Sequence, residues 1–243
     1  MNPPFSIKES LLFGWKALQA HYRVFLPVIF IFVAISFIIQ YISDGKDPFN
    51  VLVAVSMVLG VFVDILISLG LTKIALKITA GEAIAFDDVF STTHLLFSYI
   101  GASLLYLLIV FGGLLLLIVP GFVWLVSYWL FPYALIDKED GALAALSEAK
   151  RISQGARWYL FLFILVSIIL NISGIVIFFG TPLFFIGPFF MIPITTVAAA
   201  HIYRALQKRA EQEPVEQYTL KNIAEEKLQP LPPKPSPVHQ ENN

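Results

Sequence analysis

The chain's 243 residues are 58% hydrophobic and only 14% charged, where a soluble domain carries about a quarter charged residues. A net charge of −1 with no domain-scale basic surface excludes a nucleic-acid binder, and the lack of cysteine excludes disulfides, thiolate metal sites and thiol catalysis. What remains is a series of long uncharged blocks separated by short charged ones, the pattern of an all-α polytopic membrane protein.

Taken in order, the first element is an amphipathic segment over 5–20. Ser6 and Glu9 are spaced as a capping box, and Ile7, Leu11, Trp15 and Leu18 share one face. The first span follows at 24–42. It is longer than a secretory h-region and no A-x-A site comes after it, so it is expected to be retained. Ser43 to Pro48 separates it from a second span at 51–72, and a short polar segment, Phe86-Asp87-Asp88-Val89-Phe90, comes next.

From Leu95 to Ile136 there is no Asp, Glu, Lys or Arg, a stretch that as helix would cross a bilayer core about twice. The turn dipeptide Pro120-Gly121 divides it into spans at 95–119 and 121–136. A third amphipathic segment, 142–154, puts Ala142, Ala145, Leu146, Ala149 and Ile152 on one stripe, with Gly155 placed to end it. The second uncharged block, Trp158 to Tyr203, breaks at Gly180-Thr181-Pro182 into spans at 158–179 and 182–203. Beyond them, 208–243 is polar and proline-rich and is expected to be a disordered tail with at most a transient helix over 215–228.

The expected architecture is therefore six transmembrane helices with three short interfacial helices. Of the 16 Lys and Arg residues, all but Lys46 fall on one side of these spans. Basic residues near span ends stay cytoplasmic, so both termini are expected inside and all three interfacial segments on the cytoplasmic face.

Asp64 is the only acid deep within a span, and a carboxylate at the bilayer centre costs about 2.5–3.5 kcal/mol on insertion scales. Ser56, Gly60, Asp64 and Ser68 form one small, polar stripe. Two readings follow: a hydrogen-bonded Asp that fixes this helix in the bundle, or a carboxylate that couples protons or cations or contacts a ligand. In the fifth span Ser167, Asn171 and Gly174 line up on one face, so Asn171 is a candidate partner for Asp64 or a cap for a bend at Ser173-Gly174. Pro188 and Pro193 remove backbone donors from the sixth span and mark a kink or break, either an ordinary one or the broken helix of a transporter site. Gly112-Gly113 is read as close packing or a bend.

His21, His94 and His201 fall near the interface, with Asp87 and Asp88 close to His94, but their spacing supports no metal site and none is expected. Tyr22, Tyr99, Trp124, Tyr128, Trp129, Tyr133, Trp158 and Tyr203 read as interfacial anchors or packing residues. No nucleophile elbow, P-loop or dinucleotide fingerprint occurs, and Asp137-Lys138-Glu139-Asp140 reads as a solvated loop.

Pro120-Gly121, Trp124, Tyr128, Pro132-Tyr133, Asp137, Gly141, Ala144 to Leu146, Ser147, Gly155 and Trp158, with Glu9 and Gly14-Trp15 upstream, follow a known pattern. It resembles a bacterial family that includes the membrane domain of some glycerophosphoryl diester phosphodiesterases and stand-alone six-span relatives. The resemblance implies six helices with cytoplasmic amphipathic segments. It brings no catalytic residues, because the phosphodiesterase barrel would need about 250 residues that the tail does not supply. The expectation is a non-enzymatic, cofactor-free protein of the bacterial cytoplasmic membrane that organises lipid or partner proteins. The alternative is a small transporter using Asp64 and the proline-broken sixth helix.

Overall fold

A computed structural model describes residues 3–43, 50–177 and 186–228. The fold is all-α, in this order: α1 (Ile7–Ala20), α2 (Tyr22–Ser43), α3 (Val51–Ala80), two 3-10 turns (Phe86–Val89 and Thr93–Leu95), α4 (Leu96–Leu116), α5 (Ile118–Tyr128), α6 (Phe131–Lys138), α7 (Ala142–Ile152), α8 (Arg157–Ile177) and α9 (Ile186–Leu228). Four stretches are long and apolar enough to cross a membrane, Tyr22–Ile42, Val51–Ala80, Phe86–Leu116 and Ile118–Lys138, or five if α7 and α8, bent by 107°, count as one. The protein is thus a multi-pass membrane protein. The turn expected at Gly180-Thr181-Pro182, most of the 43–48 loop and residues 229–243 lie outside the described residues.

Several boundaries differ from the sequence expectation, each for a local reason. The break inside the first uncharged block falls at Leu117, in extended conformation (φ −162°, ψ 143°), and not at Pro120-Gly121. Pro120 sits instead in the first turn of α5, where a missing N–H leaves no hydrogen bond unmade. The expected span at 121–136 is two helices, because Pro132 occupies the opening turn of α6 and the chain turns at Trp129-Leu130. α3 runs eight residues past its expected end, through Lys73 and Lys77, and stops at Gly81 in the left-handed region (φ 74°). α9 continues as helix to Leu228, past the Lys208 at which the tail was expected to begin.

The amphipathic segments are docked elements. Ser6 caps α1 by accepting from the Glu9 N–H at 3.3 Å. The face α1 buries is Ser10, Gly14, Ala17 and Leu18, while Trp15 of the expected stripe stays 46% exposed. The reason is close packing: Ser10 meets His201 at 3.1 Å, Phe13 stacks on the His201 ring at 4.8 Å, and Gly14 lies against the Ile194 carbonyl. α1 therefore runs antiparallel along α9, and small residues let the two backbones approach. α7 buries Ala145, Leu146, Ala149 and Ile152 as expected, and Gly155 ends the segment with φ 72°. Gly113 and Gly121 join α4 to α5 in the same manner, since a Cβ on Gly113 would come within 2.9 Å of the Gly121 Cα.

Burial is uneven along the spans. The core gathers where the basic residues are, around Leu69 to Leu76 of α3, Leu130 to Ile136 of α6 and Val197 to Leu206 of α9. Towards the opposite end apolar side chains such as Ile38 (57%), Val51 (77%) and Leu115 (74%) are exposed. Such exposure suits lipid contact, with the backbone hydrogen bonds kept inside each helix.

The close contact of α1 with α9 predicts that Gly14→Leu separates the two helices. A Cβ there meets main chain, which cannot rotate away, so the variant should lose about 1–3 kcal/mol and melt earlier than wild type in the same detergent. An unchanged melting temperature would show that α1 contributes nothing to the folded bundle.

Candidate functional site

The basic end is organised by charged contacts from six elements. Arg204 of α9 grips Asp137 of α6 with both guanidinium arms, Nη2 to Oδ1 at 2.7 Å and Nη1 to Oδ2 at 3.0 Å. The Tyr203 hydroxyl and the Gln207 amide donate to the same Oδ2 at 3.0 and 3.3 Å. Asp137 is thus a largely enclosed carboxylate whose acceptor sites are filled by one face of α9. Its neighbours are also engaged: Lys138 meets Glu148 of α7 at 2.9 Å, and Glu139 lies 3.3 Å from Lys73 and 3.6 Å from the His94 Nε2. The solvated-loop reading of Asp137 to Asp140 is therefore corrected for Asp137, while Lys138 and Glu139 stay exposed and pair at the surface. The missed signal was that a run of charges directly after a span sits where other span ends place theirs.

Glu148 is held on both oxygens by Arg151, at 2.7 and 2.8 Å. Those bonds outweigh the burial that opposes them and, with Lys138 adding its charge, bring the Glu148 carboxyl down to about 2 from an ordinary 4.5. Lys77 of α3 ties down the first 3-10 turn through Asp88 at 2.8 Å, while Gly70 lets Val89 lie against the helix.

Among the clefts along the spans, two carry the polar residues singled out in the sequence. The first, about 320 Å³, lies between α2, α3 and α9 and is lined by Val28, Phe32, Asp64, Ser68, Pro193 and Thr196 among others. Asp64 is nine residues from Lys73, about 13 Å down the helix, and has no hydrogen-bond or ion-pair partner among the described residues. The small stripe on α3 divides in two: Ser56 and Gly60 are buried, with Gly60 against Ile39 of α2, while Asp64 and Ser68 open into the cleft. Pro193 is on the wall, but the break expected there does not occur, since α9 keeps its helical backbone across it. Pro188 also falls within α9, but its side chain lies outside the described residues.

Asn171 does not join Asp64. Its amide Nδ2 donates to the Ser167 carbonyl at 2.7 Å, and it lines a second cleft of about 470 Å³ between α4, α5, α6, α8 and α9. The expected Asp64–Asn171 bond is replaced by this one-turn contact because α9 stands between the two faces, with Thr196 lining both clefts.

Of the histidines, His201 is packed against α1, and His94 is held by the Ser91 carbonyl at 3.1 Å. Among the described residues no group of three or more His, Asp or Glu side chains is placed to hold a metal ion. The chain matches no family model, no curated protein and no solved structure.

Two outcomes test the charged layer. Asp137→Ala should destabilise the protein by about 2–3 kcal/mol, somewhat less than the loss of one partner from a fully buried pair because Arg204 keeps some access to water. Thermal melting of Asp137→Ala beside Asp140→Ala, which removes a charge from the same run, checks it. The Glu148 contribution has a defined pH window. A carboxyl whose folded value lies below its ordinary one stabilises the fold above pH 4.5 and loses that effect as pH falls towards 2. The stability gap between wild type and Glu148→Gln should therefore close across that interval.

Proposed function

We propose that this chain is a six-span, N-in/C-in protein of the bacterial cytoplasmic membrane, and that it binds and organises lipid through the cleft that carries Asp64. The orientation rests on the positive-inside distribution, with the interlocked basic layer at the cytoplasmic face. The resemblance to stand-alone relatives of the phosphodiesterase membrane domain is in keeping with this arrangement.

The observation that carries the lipid reading is the shape of the Asp64 cleft. Asp64 and Ser68 are exposed at the side of the bundle, where acyl chains are. Towards the basic end the cleft meets buried core, with Ile74, Ala75, Ala198 and Ile202 fully enclosed. A carboxyl reached from the side and closed off from the charged face is suited to a lipid that enters laterally, with apolar walls for chains and one strong hydrogen-bonding group for a polar head. Basic side chains at the cytoplasmic face would meet anionic headgroups.

A second reading, a small transporter coupled through Asp64, draws on Pro193, whose ring removes one hydrogen bond from α9 on the wall of the same cleft. The two readings differ in whether water reaches Asp64.

Native mass spectrometry of wild type and Asp64→Asn, released from the same membranes in gentle detergent, tests the proposal. The expected result is a specific lipid retained by wild type, with occupancy about tenfold lower in the variant, the worth of a hydrogen bond to a charged or strongly polar group. Equal lipid retention by two equally folded proteins would refute the assignment. Proton-dependent solute flux in proteoliposomes that is lost in Asp64→Asn would favour the transporter.

A further inference from the structure

The second cleft differs from the first in its chemistry. No charged residue lines it; its polar groups are Tyr106, Tyr133, Ser167, Asn171, Thr195 and Thr196, set among Trp129 and aliphatic side chains. Most of these groups are committed. The Tyr106 hydroxyl donates to the Leu125 carbonyl at 3.1 Å, the Tyr133 hydroxyl to the Thr196 carbonyl at 3.2 Å, and Thr195 Oγ1 to the Met191 carbonyl at 2.9 Å. Ser167 is the enclosed group that is not committed. It is 8% exposed and its hydroxyl has no hydrogen-bond partner among the described residues. An enclosed hydroxyl without a partner is costly and uncommon in native proteins. One helical turn away, the Asn171 Nδ2 is held by the Ser167 carbonyl at 2.7 Å, which turns the amide oxygen of Asn171 away from that bond and leaves it as an acceptor. Ser167 and Asn171 thus place an unmet donor, almost fully enclosed in the cleft wall, one helical turn from an acceptor.

Depth narrows the ligand. Ser167 and Asn171 are ten and fourteen residues into α8 from Arg157, about 15–21 Å along the helix. A phospholipid head cannot be drawn that far into hydrocarbon without a counter-charge, and no cationic side chain lines the cleft. An uncharged head can. The volume of about 470 Å³ lies within the range of small-molecule sites, about 300–1,000 Å³.

We infer that this cleft binds a neutral lipid of the diacylglycerol class, whose ester carbonyl accepts from the Ser167 hydroxyl and whose free hydroxyl donates to the Asn171 amide oxygen. A lipid quinone would fill the same apolar walls, but it carries acceptors only and would leave the Asn171 oxygen without a donor. The site is separate from the Asp64 cleft and does not depend on what binds there.

A diacylglycerol bearing a photoreactive diazirine near its head, applied to the full chain in mixed micelles, tests the inference. Labelling should saturate, map to α8 around Ser167, and be displaced by unlabelled dioctanoylglycerol but not by phosphatidylglycerol. Ser167→Ala removes no intramolecular hydrogen bond and should melt like wild type while binding the probe about fivefold more weakly, the worth of one neutral hydrogen bond. Asp64→Asn should label like wild type. Labelling that does not saturate, that a quinone displaces while dioctanoylglycerol does not, or that is unchanged in a folded Ser167→Ala variant would overturn the assignment.

Discussion

The rest of the bundle depends on the grip of α9 on a single carboxylate. Asp137 lies at the end of the α6 segment, and three donors within little more than one turn of α9, Tyr203, Arg204 and Gln207, close on it. Spanning helices gain little from hydrophobic association inside a bilayer, because lipid tails are as apolar as the side chains. Directional bonds at the membrane edge therefore set how far each helix is inserted and which face it turns inward. With α9 fixed in rotation by Asp137, Ile194 is presented to Gly14, His201 to Ser10, and Thr196 to the junction of both clefts. A rotation of α9 by one residue would undo all of these together.

The helix content and its grouping were legible because composition alone leaves few alternatives to helix in hydrocarbon. The amphipathic segments were legible by period, and Gly155 by its need for positive φ. Less visible was what covers them. The face of α1 was read by hydrophobicity, which selected Trp15, whereas the partner is another helix at close range, for which Ser10, Gly14 and Ala17 are the better contacts. The two prolines of the first uncharged block bear on the helix boundaries in a consistent way. Pro120 and Pro132 mark helix openings and not the breaks themselves, so the chain turns just before each.

At the candidate sites the sequence picked out Asp64 and Asn171 and paired them, and the structure places them apart. Asp64 and Asn171 stood out as polar groups within apolar runs, and pairing them follows from the rule that such groups seek each other. The rule holds only for faces that meet. The α3 and α8 faces look onto different clefts, and which face a helix turns to which neighbour is set by long-range partners such as Asp137 and Arg204, some sixty-seven residues apart in the chain. Those partners were hidden as well, since a run of acids and a lysine after a span reads as a loop until the opposing helix is in place.

The uneven burial then has a mechanical consequence. In water, a side cleft of about 320 Å³ lined by aliphatic groups would be a liability of several kcal/mol, at about 24 cal/mol per Å³ of unfilled volume. In a bilayer the same cleft is filled from the side by acyl chains, so most of that penalty never arises. The remaining cost is the unpartnered polar groups, Asp64 in one cleft and Ser167 in the other. Both lie below the basic layer, where the buried core and the ion pairs hold α3, α6, α7 and α9 in register independently of what fills the clefts. A bundle clamped at one end can keep such groups unpaired along its spans without losing its fold.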